Sequence, residues 1–342
     1  MILKNKILKK IKDNSFIYLD DFMQISLSDE NNGYYTVKQP IGKDGDFITA
    51  PEISQLFGEM TALSIIQQLK KKSIDNFNLI ELGPGKGTLM QDVTRTLNKV
   101  MGDENSYKIH FLEINKYFKD ELKIKFKNSK FHKSISTFPK GYSIILANEF
   151  FDALPIIQIH NLNNRYYETA ITAENDNIKF TKEVLRKENQ DLFLKETTIK
   201  SGKLKEFSPA SNSIFTHIIN YLKTSNGMML IMDYGYINDQ STSTLQSIKN
   251  NKKTNFLENI GEQDLTSHIN FNMFINILKK NQITDFQLDA QRKFLLDNGI
   301  TFRATQLIDH NPKLKKEISG ELSRLIDIDK MGNLFKVLKF EV

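Results

Sequence analysis

Cysteine is absent from all 342 residues. Disulfides, thiolate catalysis and thiolate-based zinc sites are excluded with it, and a reducing compartment is compatible with the absence. Six histidines are present, but none stands in an H-E-x-x-H or comparable ligand spacing, so no metal site is expected. No window approaches the ~18 uninterrupted apolar residues of a membrane span, and the chain is not expected to cross a membrane. Internal repeats and low-complexity tracts are lacking too. The net charge is only +6 and is spread along the chain. The lysine clusters (Lys9 and Lys10; Lys70, Lys71 and Lys72; Lys313, Lys315 and Lys316) fall in amphipathic or loop-like contexts that read as solvated faces. Nucleic acid is therefore not an expected partner. The stretch from Met1 to Lys12 has neither the apolar core of a secretory signal nor the Arg/Ser richness of a mitochondrial presequence, and reads as the first helix of the fold. A cytoplasmic location is expected for a bacterial-type chain, and a mitochondrial one if the chain is eukaryotic.

What is there is an ordinary globular composition, 39% hydrophobic and 26% charged, long enough for about two domain-sized units. Its most informative stretch runs from Leu79 to Met90. The apolar residues Phe77, Leu79, Ile80 and Leu82 read as a buried parallel strand. Gly83, Gly85 and Gly87 then alternate with other residues, and Thr88 to Val100 has helical spacing. Strand, glycine turn and helix together form a cradle for a nucleotide-like cofactor. Glycine tolerates φ > 0 and lets a ligand approach the backbone, while the helix start presents free N–H groups and a positive dipole end. The Walker pattern fails, because Ile80 occupies the first glycine position and Gly87 the Ser/Thr position. The dinucleotide pattern fits poorly, since Thr88 takes its third glycine slot. Glu-x-Gly-x-Gly-x-Gly is similar instead to the loop of S-adenosylmethionine (SAM) methyltransferases. The next strand, Lys108 to Glu113, ends in a carboxylate whose two oxygens match the vicinal hydroxyls of a ribose.

Along the chain, residues 1–75 read as an N-terminal helical and lid segment, with helical spacing at Ile17 to Met23 and Ser54 to Leu69 and a loop from Asn31 to Pro51. Residues 76–342 read as a doubly wound core. Strands are expected at 77–82, 107–113, Tyr142 to Ala147 and Gly227 to Asp233, alternating with helices. An insertion at about 156–207 reads as an antiparallel meander with Asn-rich turns.

Four further strings are denser in polar chemistry than packing requires: GDFITAPEISQLFGE (45–59), ANEFFDALPIIQ (147–158), DYGY (233–236) and GEQDLTSHINF (261–271). With ELGPGKGTLMQD (81–92) and FLLDNGITFRATQL (294–307), they resemble the MidA-type SAM-dependent methyltransferases. That family includes a mitochondrial complex I assembly factor acting as a protein arginine methyltransferase. The chain departs from the pattern at Ile260, where proline is usual, at Asn270, where aspartate is usual, and at Gln291-Arg292-Lys293.

The resemblance implies a class I Rossmann-like SAM-methyltransferase core with a mostly parallel sheet. It implies SAM as cofactor, held at Glu81, Gly83, Pro84, Gly85, Gly87, Thr88, Glu113 and Asn148. A substrate-side lid is expected at Asp46, Thr49, Pro51, Glu52, Ser54 and Gln55, since an irregular Gly/Pro-bearing segment ahead of the first core strand is placed to close the cleft. It further implies symmetric dimethylation of an arginine on a protein substrate, a subunit of NADH:quinone oxidoreductase. A guanidinium needs carboxylates matched to its fork of donors. Glu149 and Asp152 are the expected clamp, with Asp233 as a third catalytic candidate. Two alternatives stay open: a small-molecule or other non-arginine acceptor, and a non-catalytic assembly chaperone that retains the fold. A homodimer is left open as well.

Overall fold

The computed structural model describes residues 2–37, 45–46, 48–102, 106–193, 199–238 and 240–342. Its centre is an eight-stranded sheet. From one edge to the other, its main path runs Phe286–Ala290, Phe335–Glu341, Gly227–Tyr236, Ser143–Asn148, Phe77–Leu82, Tyr107–Leu112 and Lys130–His132. Ile269–Asn270 pairs in parallel at the end of Gly227–Tyr236. Only Phe335–Glu341 runs antiparallel to its neighbours.

Phe77–Leu82 is buried at every position, as a strand covered on both faces must be. Successive side chains point to opposite faces. Leu79, Ile144, Leu146, Leu230 and Met232 therefore enter one apolar layer, and Ile80, Ile145, Ala147, Met229 and Ile231 enter the other. The first layer is closed by helices Gln55–Lys72 and Thr88–Met101 and by the C-terminal helices, the second by Pro209–Ser225 and Phe271–Lys280.

Gly58 lets Gln55–Lys72 and Thr88–Met101 touch: a Cβ there would lie 2.4 Å from the Cβ of Asp92. Beside this contact, Glu59 accepts from Arg303 Nε at 2.7 Å, and Arg95 pairs with Asp92 at 2.7 Å. Three of the strings singled out in the sequence (45–59, 81–92 and 294–307) thus meet in one ion-pair cluster. Glu59 is buried, so losing its partners would leave a charge unpaired.

The chain climbs from Phe77–Leu82 to Tyr107–Leu112 on one side and later returns to Ser143–Asn148 on the other. That reversal opens a crevice at the carboxyl ends of the strands, where such folds bind ligands. Register decides what meets there. Leu82 stands opposite both Leu112 and Ala147, and Met232 stands opposite Asn148. Gly83, Glu113, Glu149 and Asp233 each lie just beyond, so four distant segments end on one edge.

The expected meander consists of Ile157–Leu162, Arg165–Glu174, Asn177–Val184 and Leu204–Phe207. Its hairpin turns, Asn163-Asn164 and Asn175-Asp176, have both central residues at positive φ, the conformation that Asn and Asp tolerate and that matches strand twist. Helices Ile2–Asn14 and Leu19–Ser28 pack on this sheet in one apolar cluster with Ile171, Phe256 and Leu265. Arg186 ties the two together, pairing with Glu168 at 2.7 Å and Asp20 at 2.9 Å.

Two local expectations are corrected. Ile17 and Tyr18 form a short strand against Ile171 and Ala170 rather than the start of a helix, because pairing with the meander claims them first. Within the expected loop 31–51, Tyr34–Val37 and Ala50–Ile53 form single helical turns, while residues 38–44 and 47 lie outside the described residues. Among the described residues, no helix is long and apolar enough to cross a membrane.

Candidate active site

A cavity of about 380 Å³ opens over this edge, within the ~300–1,000 Å³ usual for small-molecule sites. Gly83, Gly85 and Gly87 have φ of 59°, 54° and 76°, so the turn needs residues that tolerate the left-handed region. Gly83 also leaves room for the Phe150 ring, which would lie 3.0 Å from a Cβ there. The Gly85 N–H donates to Glu113 Oε2 at 3.2 Å, and the Asn115 N–H donates to Oε1 at 2.7 Å. Each oxygen keeps a lone pair for a further donor. Burial raises the Glu113 pKa, and the N–H groups of Asn115 and Gly85 pull it back.

Glu81 and Asn148 form the deep wall. Glu81 Oε2 and Asn148 Oδ1 are buried and have no hydrogen-bond partner among the described residues. Burial, reinforced by the charge of Glu113, holds the Glu81 carboxyl well above its ordinary range. Two buried acceptors left unmatched are costly unless a ligand supplies donors. The ammonium and ribose hydroxyls of SAM are such groups, and Leu89, Ile114 and Phe118 line the cavity with apolar surface for a flat base. The residues present fit this cofactor.

Towards the other end the wall becomes acidic. Glu149 has φ of 47°, strained for a residue with a Cβ. Its Oε1 accepts from the Ala50 N–H at 3.3 Å. Burial and the charge of Asp152 raise its pKa to about 8. Asp152 Oδ2 accepts from the Tyr234 hydroxyl, while Oδ1 has no partner among the described residues. Burial raises Asp152 to about 6 despite that hydrogen bond. Asp264 accepts from the Tyr35 hydroxyl at 2.5 Å, and burial raises it to about 8, with Asp152 adding to the rise. Six carboxylates line the cavity (Glu52, Glu81, Glu113, Glu149, Asp152 and Asp264), against one lysine, Lys86, among the described residues. Such a chamber favours a positively charged ligand.

The residues expected from sequence divide by position. Glu81, Gly83, Pro84, Gly85, Thr88, Glu113, Asn148, Glu149 and Asp152 line the cavity, as do Thr49, Pro51 and Glu52 of the expected lid. The Thr88 hydroxyl donates to Glu52, joining lid segment and glycine loop. Others stand outside the wall. Gly87 starts helix Thr88–Met101 and packs against Leu122. Asp46 accepts from the Tyr34 hydroxyl at 2.7 Å and from the Asn250 N–H at 2.6 Å. Ser54 caps helix Gln55–Lys72 by accepting from the Leu56 N–H, and Gln55 faces a neighbouring groove.

Asp233, the third catalytic candidate, stands behind the wall. It is fully buried, does not line the cavity, and accepts from the N–H groups of Phe151 at 3.2 Å and Asp152 at 3.4 Å. It holds the turn that carries Glu149 and Asp152. The reason is strand alternation, which sends Tyr234 to the cavity and Asp233 behind it. Asp264, Tyr35 and His268 also reach the cavity. None was among the site residues expected from sequence, although Asp264 and His268 belong to the 261–271 string.

The family described as "Putative S-adenosyl-L-methionine-dependent methyltransferase" matches residues 60–287. The chain is 29% identical to "Protein arginine methyltransferase NDUFAF7 homolog, mitochondrial" of Caenorhabditis elegans, over 90% of this chain and 78% of that protein. It is 25% identical to "Protein arginine methyltransferase NDUFAF7, mitochondrial" of Homo sapiens, over 95% and 80% respectively. A crystal structure from Burkholderia thailandensis bound to S-adenosyl-homocysteine superimposes with a TM-score of 0.86 at 21% identity, covering 100% of this chain and 92% of that one. The glycine loop, the carboxylate at the neighbouring strand tip and the matched span agree: this chain belongs to the S-adenosyl-L-methionine-dependent methyltransferases, with SAM as its cofactor and a class I Rossmann-like core.

Proposed function

We propose that this methyltransferase acts on arginine in a protein, placing methyl groups symmetrically on a subunit of NADH:quinone oxidoreductase and supporting assembly of that complex. The observation that carries the acceptor reading is the acidic end of the cavity. There Glu149, Asp152 and Asp264 face one chamber, and their hydrogen bonds among the described residues come from neutral groups rather than from a lysine or arginine. The relatives' names supply the protein and arginine parts of the reading. The working compartment is the cytoplasm in a bacterial host and the mitochondrion in a eukaryotic one.

SAM, when bound, supplies a methyl group on a positively charged sulfur. The chain's own residues do the rest. Glu113 and the glycine loop orient the cofactor end, and Glu81 and Asn148 offer acceptors to its cationic groups. Glu149 and Asp152 hold the guanidinium through charge-assisted hydrogen bonds, fixing one nitrogen in line for transfer. A nitrogen that gains a methyl group must shed a proton, and Glu149, poised near neutral pH, is placed to take it. Asp233 keeps both carboxylates in place through the backbone of their turn.

The test is methyl-labelled SAM with the purified protein and extract of cells lacking it, followed by acid hydrolysis of the labelled product. Label in symmetric dimethylarginine on a subunit of the complex is expected. Label confined to a small molecule, or to another side chain, overturns the arginine reading.

A further inference from the structure

The carboxylates at the acidic end of the cavity come from different layers of the fold. Glu149 and Asp152 belong to the turn after Ser143–Asn148. Asp264 opens the short strand Asp264–Thr266, which pairs with Gln246–Lys249 outside the central sheet. This accessory strand is stitched onto the catalytic turn: the Ser267 N–H donates to the Asp152 carbonyl at 3.0 Å. Tyr35 holds the Asp264 carboxylate from a third element, the helical turn Tyr34–Val37. The Tyr35 carbonyl in turn accepts from Asn115 Nδ2 at 3.0 Å, just beyond Glu113. Asp152 Oδ1 is buried and unpartnered among the described residues. Three acids from two layers therefore converge on one chamber that also contains an unmatched buried acceptor.

We propose that Asp264, oriented by Tyr35, is the third carboxylate arm of the acceptor subsite, and that with Glu149 and Asp152 it selects a planar guanidinium over a compact ammonium. The proposal rests on the arginine reading and names what enforces it. A guanidinium spreads its charge over a plane and presents donors along more than one edge, so separated carboxylates can each engage it. An ammonium is a point charge that one or two acceptors satisfy. Tyr35 acts through Asp264 and is a positioning residue.

The proposal has a proton signature. Burial and Asp152 hold Asp264 near 8, and burial and Asp152 hold Glu149 near 8. Among the described residues, the titratable groups that act on them or share their chamber are Asp152, Asp233, Asp46, Tyr34, Tyr35, Tyr234 and His268, with Glu52, Glu81 and Glu113 further along the wall and Lys86 as its one lysine. A bound guanidinium lowers the pKa of each arm it touches, so binding at pH 7 releases protons.

The experiment measures arginine amide and lysine amide binding to the SAM-loaded protein by calorimetry, in buffers of different ionisation enthalpy. Wild type, Asp264→Asn and Tyr35→Phe are compared, with SAM affinity and thermal midpoint recorded for each. Asp264→Asn is expected to weaken arginine amide by about 10- to 100-fold, the effect of a lost charged hydrogen bond. It should also release fewer protons, lower the preference over lysine amide, and leave SAM affinity within about twofold. Tyr35→Phe should give a smaller loss in the same direction. If wild type binds arginine amide and Asp264→Asn binds it equally well with the same proton release, the third arm is overturned while the arginine reading stands. If wild type binds lysine amide as tightly as arginine amide, or neither at all, both fall. A parallel loss of SAM affinity and thermal midpoint in the two variants makes Asp264 structural and overturns the proposal.

Discussion

Replacing Glu149 by glutamine should make the protein more stable at alkaline pH and nearly inactive, a combination that separates function from scaffolding. Glu149 opens onto the cavity, and its carboxyl is raised from 4.5 to about 8 by burial and by Asp152. Between those values the folded state binds more protons than the unfolded chain. Stability is therefore full below pH 4.5 and is lost as pH rises through 8. At about 1.4 kcal/mol per pH unit, a carboxylate sealed from water would cost the fold ~5 kcal/mol at pH 8 and above. Water in the cavity screens part of that charge, so the expected cost is ~1–3 kcal/mol. Glutamine keeps the shape and cannot ionise. Its variant should match wild type near pH 5 and gain a thermal midpoint higher by roughly 2–6 °C at pH 8.5.

Methyl transfer should fall by roughly 10²–10⁴-fold, the usual contribution of a positioned proton acceptor, with SAM affinity within about twofold of wild type. Thermal scans at pH 5, 7 and 8.5, SAM titration and single-turnover methylation on one preparation test all three points. A Glu149→Gln variant destabilised equally at every pH, with activity falling only in proportion, would refute the reasoning and return Glu149 to a structural role. The same logic predicts a smaller alkaline gain for Asp152→Asn, because Asp152 is raised only to about 6.

Three further outcomes follow from the geometry. Glu113→Ala should weaken SAM binding by ~1–3 kcal/mol through loss of charged hydrogen bonds, measured by calorimetry; binding of NAD in place of SAM would contradict the cofactor assignment. Gly58→Ala places a Cβ 2.4 Å from the Cβ of Asp92, an atom tied to its own backbone, and should cost ~1–3 kcal/mol of stability from overpacking, read as a lower urea midpoint with no change in SAM affinity per folded molecule. Limited proteolysis near Asp46 to Pro51 should slow when SAM is added, since Thr49, Pro51 and Glu52 line the cavity and Glu52 is bonded to Thr88; identical cleavage with and without SAM would count against closure of this segment.

The parts of the fold that were legible in the sequence are those decided locally. A run buried on both faces, as in Phe77–Leu82, contains its own signal, and so do glycines at alternate positions and the Asn pairs that turn the meander. Parallel register then placed Gly83, Glu113 and Asn148 together with no long-range guess beyond strand order. Tertiary choices were not legible. Nothing near Asp264 indicates that Gln246–Lys249 will pair with it and carry it to Asp152, because short irregular strands have no period to read. Asp233 shows a finer limit. The sequence puts it at a strand end on the ligand edge, but only side-chain alternation decides that Tyr234 faces the chamber and Asp233 the turn behind it.

The division of the cavity explains why its acids are tolerated. Burial raises the pKa values of Glu149, Asp152 and Asp264, with the charge of Asp152 adding to the rise at Glu149 and Asp264, and among the described residues none of the three has a lysine or arginine partner. A purely structural cluster would be more stable as neutral amides, since each buried carboxylate costs the fold unless it is paired or protonated. On the proposed reading, Glu149, Asp152 and Asp264 are held for a cation that arrives from outside. On the cofactor side, the polar groups come from strand ends and one glycine loop of a single sheet. Around the proposed acceptor subsite they come from the sheet edge, an accessory strand and a helical turn near the N-terminus. Substitutions at Glu81, Gly85 or Glu113 should thus change SAM affinity whatever the acceptor, whereas substitutions at Tyr35, Glu149, Asp152 or Asp264 should change which acceptor is methylated at constant SAM affinity. A variant from one group with the signature of the other would show that the chamber is one site rather than two.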